Sequence, residues 1–181
     1  MNKKIRWITE TAVMLALLVA LQAITGSMGQ IVTGSCVNAV LAVCVLTIGL
    51  SSGLVVALIS PVLAYLLGIA PMLVTVPGIM AGNCAFVLLL HFLADRNNKK
   101  IVKQVIAWIV SAVGKFAVLY LVVVKLILGV MAESLLASGT LKQPMIAALT
   151  AKFSWPQLIT ALIGGAAALL ITPVIRKALK K

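Results

Sequence analysis

Four carboxamides, Gln22, Asn38, Asn83 and Gln157, and two lysines, Lys115 and Lys125, interrupt stretches of sequence that are otherwise almost wholly apolar. An amide or a charge inside an apolar helix needs a partner, because lipid offers none, so the depth of each is informative. Counting from the outer helix ends puts Gln22 and Gln157 within the outermost turn, and Asn38 and Asn83 roughly 7 to 9 Å down at 1.5 Å per residue. Four different helices contribute one amide each, all in the same half of the membrane. That is what a pocket opening outward and lined by convergent polar groups requires. Taken singly, each amide reads better as an interhelical hydrogen bond that only holds the bundle together. The shared depth moves the set toward a ligand site.

Lys115 is the most unusual residue. It falls near the middle of its apolar run, whereas Glu10 lies near the inner end of the first run and Glu133 beyond the outer end of the fifth, so no acid stands at its depth. A charge there is costly. It can snorkel, shed its proton through desolvation, or meet the carboxylate of a ligand or partner. Lys125, ten residues on, falls near the outer boundary, where snorkelling needs no strain.

Signals for catalysis are poor. Gly49-Leu50-Ser51-Ser52-Gly53 matches G-x-S-x-G, and His91 with Asp95 could be imagined completing a triad on the same side. A nucleophile elbow needs a strand-to-helix turn, whereas these glycines most simply make a tight hairpin between two helices, and His91 with Asp95 reads as a helix-end pair. No phosphate-binding loop, dinucleotide fingerprint or H-x-x-x-H spacing occurs, so the chain alone is not expected to be an enzyme or to hydrolyse ATP. Cys36, Cys44 and Cys84 all sit in apolar segments without metal-ligand spacing and read as small packing residues. No cofactor and no metal are expected.

These residues must be held by elements that live in lipid. The chain is 63% hydrophobic and only 10% charged, with a mean hydropathy of +1.22, against about 45 to 50% apolar and roughly 25% charged in ordinary soluble domains. A bilayer must be its solvent. Apolar runs punctuated by Gly, Pro and charge predict an all-α bundle of six transmembrane helices in one integral membrane domain. The spans run from about Trp7 to Ile24, Thr33 to Ile48, Gly53 to Leu67, Pro77 to Ala94, Lys103 to Leu128 and Trp155 to Ile175. The Lys3-Lys4-Ile5-Arg6 start has the outline of a signal peptide but lacks a clean cleavage site, and reads as a retained first helix. The fifth apolar stretch, Ile101 to Met131, exceeds what a hydrocarbon core needs and must tilt or project.

The formal net charge is +12, but the basic residues flank apolar runs, which points to lipid and membrane orientation rather than nucleic acid. With both termini cytoplasmic, the inner side collects Lys3, Lys4, Arg6, Arg96, Lys99, Lys100, Lys103, Arg176, Lys177, Lys180 and Lys181, while the outer loops hold only Lys142 and Lys152. This is a strong positive-inside bias, and it requires an even number of spans. The long outer loop from Ala132 to Ser154 has helical apolar spacing at Met145, Ile146, Leu149 and Phe153, so part of it is expected to form a short amphipathic helix, either as a lid or as a passive interfacial segment.

Within the first span, Ala12, Ala16 and Ala20 form a small-xxx-small ridge on one helix face. Together with six spans, about 180 residues, both termini inside, Gly82-Asn83 after a proline-marked outer loop and a long outer loop before the last helix, this ridge resembles the substrate-binding S component of energy-coupling factor transporters. The resemblance covers the whole chain through its architecture. It implies a cell-membrane subunit, multi-pass, that captures a vitamin or similar micronutrient outside and topples to release it inside. It also implies partners: a transmembrane coupling subunit that docks on Ala12, Ala16 and Ala20, and two cytoplasmic ATPases. The implied pocket falls around Asn83, Lys125, Trp155 and Gln157, with the first and third outer loops as gates. No vitamin subfamily is matched. A self-contained permease or channel and a ligand-free structural membrane partner remain the competing readings.

Overall fold

The computed structural model describes residues 2–69, 72–94 and 101–178, and among them the chain is helical, without strands. Pro71, Asp95 and the basic residues Arg96, Lys99, Lys100, Lys180 and Lys181 lie outside the described residues. The elements are α1 (Lys3–Thr25), α2 (Gln30–Thr47), α3 (Leu50–Leu66), α4 (Val76–Leu93), α5 (Ile101–Leu119), α6 (Ala132–Ala137), α7 (Gln143–Lys152) and α8 (Trp155–Ala178). By length and composition α1, α2, α4, α5 and α8 lie in helical stretches that can cross a membrane, and α3 is a shorter apolar helix of 17 residues. Large apolar side chains such as Ile24, Leu66, Phe92, Ile106 and Leu170 are exposed around the outside, which lipid tolerates and water does not.

Polar contacts fix which ends lie together. Trp7 Nε1 donates to Ser51 Oγ at 3.1 Å, the Thr11 and Ser52 hydroxyls are 2.7 Å apart, and Arg176 Nη2 donates to the Leu46 carbonyl at 2.5 Å. The start of α1, the α2–α3 turn and the end of α8 therefore share one end of the bundle, called here the terminal end. That turn is a helical hairpin made at Gly49, whose φ of 130° suits a residue without Cβ. Ser51 and Ser52 of the G-x-S-x-G match accordingly lie in the first turn of α3 and hold α1, not a reacting group.

Two cores stack along the bundle. The larger joins Leu18, Leu41, Val56, Phe86, Leu90, Ala107 and Ala168, with Cys44 buried inside it and Cys84 packed against it. The smaller lies at the far end. There the ring of Trp155, at the start of α8, stacks on Phe116 at 5.6 Å, so the chain beyond Phe116 extends past the end of α8. It does so as a π-helical segment, Tyr120–Val130; the sequence reading anticipated the projection but not the change of helix type. Leu119, Val123, Ile127 and Leu128 pack there against Leu141, Leu149 and Phe153. The 132–154 segment thus forms two short helices, α6 and α7, docked as a cap on the projecting end of the fifth span.

Glycine sets close helix approach at several places, two of them beside the buried asparagines. A Cβ on Gly164 of α8 would collide with the Ser35 carbonyl and come within 2.7 Å of Asn38 Cβ, so α2 and α8 touch backbone to backbone beside Asn38. A Cβ on Gly82 of α4 would lie 2.5 Å from Leu119 Cγ, which lets α5 close on α4 one residue before Asn83.

Candidate functional site

A cavity of about 130 Å³ opens between the far ends of α1, α2, α3, α4, α5 and α8. Gly26, Gly29, Ile69, Lys152 and Phe153 form its rim, and Asn38, Asn83 and Lys115, each nearly fully buried, form its floor. Val37, Pro61, Ala64 and Ile79 give it an apolar wall. The floor is one polar unit: Lys115 Nζ donates to Asn38 Oδ1 and to Asn83 Oδ1, both at 2.6 Å, with the ring of Phe86 5.8 Å away.

An ammonium has no acceptor, so both amides must turn their oxygens toward it, and the rest of the network is consistent with that. Asn38 Nδ2 donates in turn to the Gly34 carbonyl at 2.9 Å and to Thr160 Oγ1 at 3.3 Å. One lysine therefore ties α2, α4 and α5 at mid-depth. Its side chain does not snorkel. Two neutral carbonyls replace part of its hydration, and among the described residues no Asp or Glu lines the cavity.

Of the residues singled out in the sequence, Gln22, Asn38, Asn83, Gln157 and Lys115 all line this cavity. Gln157 Nε2 donates to the Lys152 carbonyl at 3.2 Å, linking the start of α8 to the end of α7. Gln22 Oε1 is buried without a partner. Lys125 and Trp155 do not line the cavity. Lys125 instead lies 5.7 Å from the Tyr120 ring, and Trp155 is 68% exposed on its stack with Phe116. Lys125 is exposed on the projecting segment, and Trp155 is turned outward at the start of α8.

The structure adds Ser60, Lys152, Gln30 and Thr33 to the lining. Ser60 is buried with its hydroxyl unpartnered, one residue before Pro61, which lacks an N–H and interrupts the ladder of α3. A serine beside a helix-interior proline was a signal that could have found it. Lys152 is half-buried at the last residue of α7, and only the docking of the cap brings it to the rim.

Chemically the arrangement offers amides, hydroxyls and two lysine side chains to a bound molecule. Among the described residues the cavity lining contains no His, Cys, Asp or Glu, and no group of three such residues could hold a metal ion. Away from the cavity, Ala12, Ala16 and Ala20 are all exposed along α1, while Thr11 and Leu18 on the same helix are buried. The small-residue ridge faces outward.

No curated protein and no solved structure matches the chain. The family model for the ECF transporter, substrate-specific component, matches residues 8–176, nearly the whole length. With its apolar helices and its enclosed polar cavity, the chain belongs to the family of membrane substrate-binding subunits of energy-coupling factor transporters.

Proposed function

We propose that this chain captures a small micronutrient from outside the cell in the cavity above Lys115 and delivers it inward as part of an ATP-driven complex. The observation that carries this reading is the cavity itself: amides from α1, α2, α4 and α8 and a lysine from α5 converge on it at the end of the bundle opposite both termini. The basic residues gathered near the termini support a cytoplasmic terminal end by the positive-inside rule, and the cavity then opens outward. The exposed Ala12, Ala16 and Ala20 ridge supports docking of α1 on a transmembrane coupling subunit, since small residues let a partner helix approach closely. Energy comes from two ATPases bound to that subunit, because this chain carries no phosphate-binding loop. In this reading α7 and the Gly26–Gly29 turn gate the cavity mouth.

Affinity purification of the chain from its own host, followed by reconstitution, tests the reading. The coupling and ATPase subunits are expected to co-purify, and uptake into liposomes is expected only with all of them and ATP. Concentrative uptake by liposomes that contain this chain alone would instead identify a self-contained permease.

A further inference from the structure

The cavity carries more information than its position. Among the described residues its lining includes two lysines, Lys115 on the floor and Lys152 at the rim, and no Asp or Glu. The ammonium of Lys115 is held by two amide carbonyls, which use two of its three donors and leave its charge uncompensated. Lys152 Nζ has no hydrogen-bond or ion-pair partner among the described residues, and Lys152, at the end of α7, lines the same cavity. Two further polar atoms of the cavity lining, Ser60 Oγ and Gln22 Oε1, are buried without partners. Buried polar atoms are nearly always paired. These two lack a hydrogen-bond donor, and the two lysines lack an acceptor with a negative charge.

We infer that the cargo is a compact organic acid whose carboxylate lies between Lys115 and Lys152 and whose other end presents a hydrogen-bond donor to Ser60 and Gln22. This rests on the reading of the chain as a substrate-binding subunit and specifies what it binds. The wall of Val37, Pro61, Ala64 and Ile79 calls for an apolar body between the two polar ends, which excludes inorganic anions. Size follows from volume. A cavity of about 150 Å³ binds benzene, so about 130 Å³ is of the size of one small ring or a short chain, whose substituents reach toward the open mouth. The carboxylate also connects two parts of the fold, since Lys115 belongs to the membrane bundle and Lys152 to the cap. Occupancy therefore fastens α7 over the mouth.

The test uses the full chain in lipid nanodiscs and a panel of paired probes: benzoate, 4-aminobenzoate, hexanoate and 5-aminopentanoate, each beside its primary amide, with inorganic phosphate and benzylamine as further arms. Calorimetry is expected to show the amino acids of the panel binding best, and each acid that binds doing so at least about tenfold more tightly than its amide, the usual margin of a charge-assisted contact. In Lys152→Gln that ratio is expected to fall to within about threefold, whereas Lys125→Met, a change outside the cavity, leaves it intact. Lys115→Gln is expected to lose the same preference, and if it fails to fold, Lys152→Gln alone decides the question. Equal binding of acid and amide, preference for benzylamine, phosphate binding as tightly as the acids, or no binding by any acid would each overturn the inference. Association with coupling and ATPase subunits is scored separately. A chain that associates but prefers amides refutes only the cargo class, and one that binds acids without associating refutes only the transporter reading.

Discussion

Lys115, near the end of α5 and midway along the helical stretch Ile101–Val130, donates to Asn83 in the middle of α4 at 2.6 Å, so a single side chain both shapes the cavity floor and joins two spans. Removing either partner leaves the other buried and short of a hydrogen bond, at about 1 to 3 kcal/mol. Lys115→Met and Asn83→Leu are each expected to lower stability, and the double variant to lose less than their sum. Reversible unfolding in mixed micelles measures the cycle. A coupling energy of about 1 kcal/mol or more would exceed the roughly 0.6 kcal/mol average of interhelical hydrogen bonds in membranes; additive losses would show that the pair is not energetically linked.

Ala16 lies near the centre of the exposed face of α1, far from the cavity lining. Ala16→Trp is expected to leave folding and cargo affinity within about twofold of the parent, since exposed substitutions rarely move stability by more than about 0.5 kcal/mol. Uptake by the assembled transporter is expected to be lost, because the ring holds the partner helix away from the ridge. Parental uptake rates in this variant would remove the ridge from the coupling surface.

The close helix approaches beside Asn38 and Asn83 differ in what a new methyl group would strike. At Gly82 it meets the Leu119 side chain, which can change rotamer, whereas at Gly164 it meets the Ser35 carbonyl and the backbone of Ala39. Overpacking costs about 1 to 3 kcal/mol, and the rigid obstacle belongs at the upper end of that range. Gly164→Ala is therefore expected to destabilise more than Gly82→Ala, and to weaken cargo binding as well by displacing Asn38. Thermal unfolding of the two variants side by side checks the order.

The helical layout was legible because each span is a run of apolar residues closed by glycine, proline or charge, and depth along a helix can be counted. That counting places Gln22, Asn38, Asn83 and Gln157 in the same outer half of the membrane, and all four line the cavity. What could not be counted was rotation about the helix axis. Lys115 and Asn83 were recognised separately, but their contact depends on which faces α4 and α5 turn to each other, which Gly82 decides through Leu119. Lys125 was grouped with the pocket by family resemblance and stands outside it, since the π-helical path of Tyr120–Val130 alters its azimuth. Lys152 entered from the cap, whose docking rests on contacts between residues distant in sequence, such as Leu149 and Phe153 with Val123 and Ile127.

Ser60 gives the sharpest distinction between a structural and a ligand-binding role for a cavity residue. Its hydroxyl is buried and unpartnered, so with the cavity empty it contributes a desolvation cost and no hydrogen bond. Ser60→Ala removes that cost, and because alanine also suits a helix interior better than serine, the variant is expected to unfold at the same temperature as the parent or a higher one. If the cargo donates to Ser60 Oγ, the same substitution loses one hydrogen bond on binding, about 0.5 to 1.5 kcal/mol or roughly a twofold to tenfold loss of affinity. The expected pattern is thus opposite in sign for the two measurements, stability held or raised and affinity lowered. Calorimetric titration and thermal unfolding on one preparation read both. A variant that loses stability and keeps its affinity would show that Ser60 serves the packing of α3 and not the cargo.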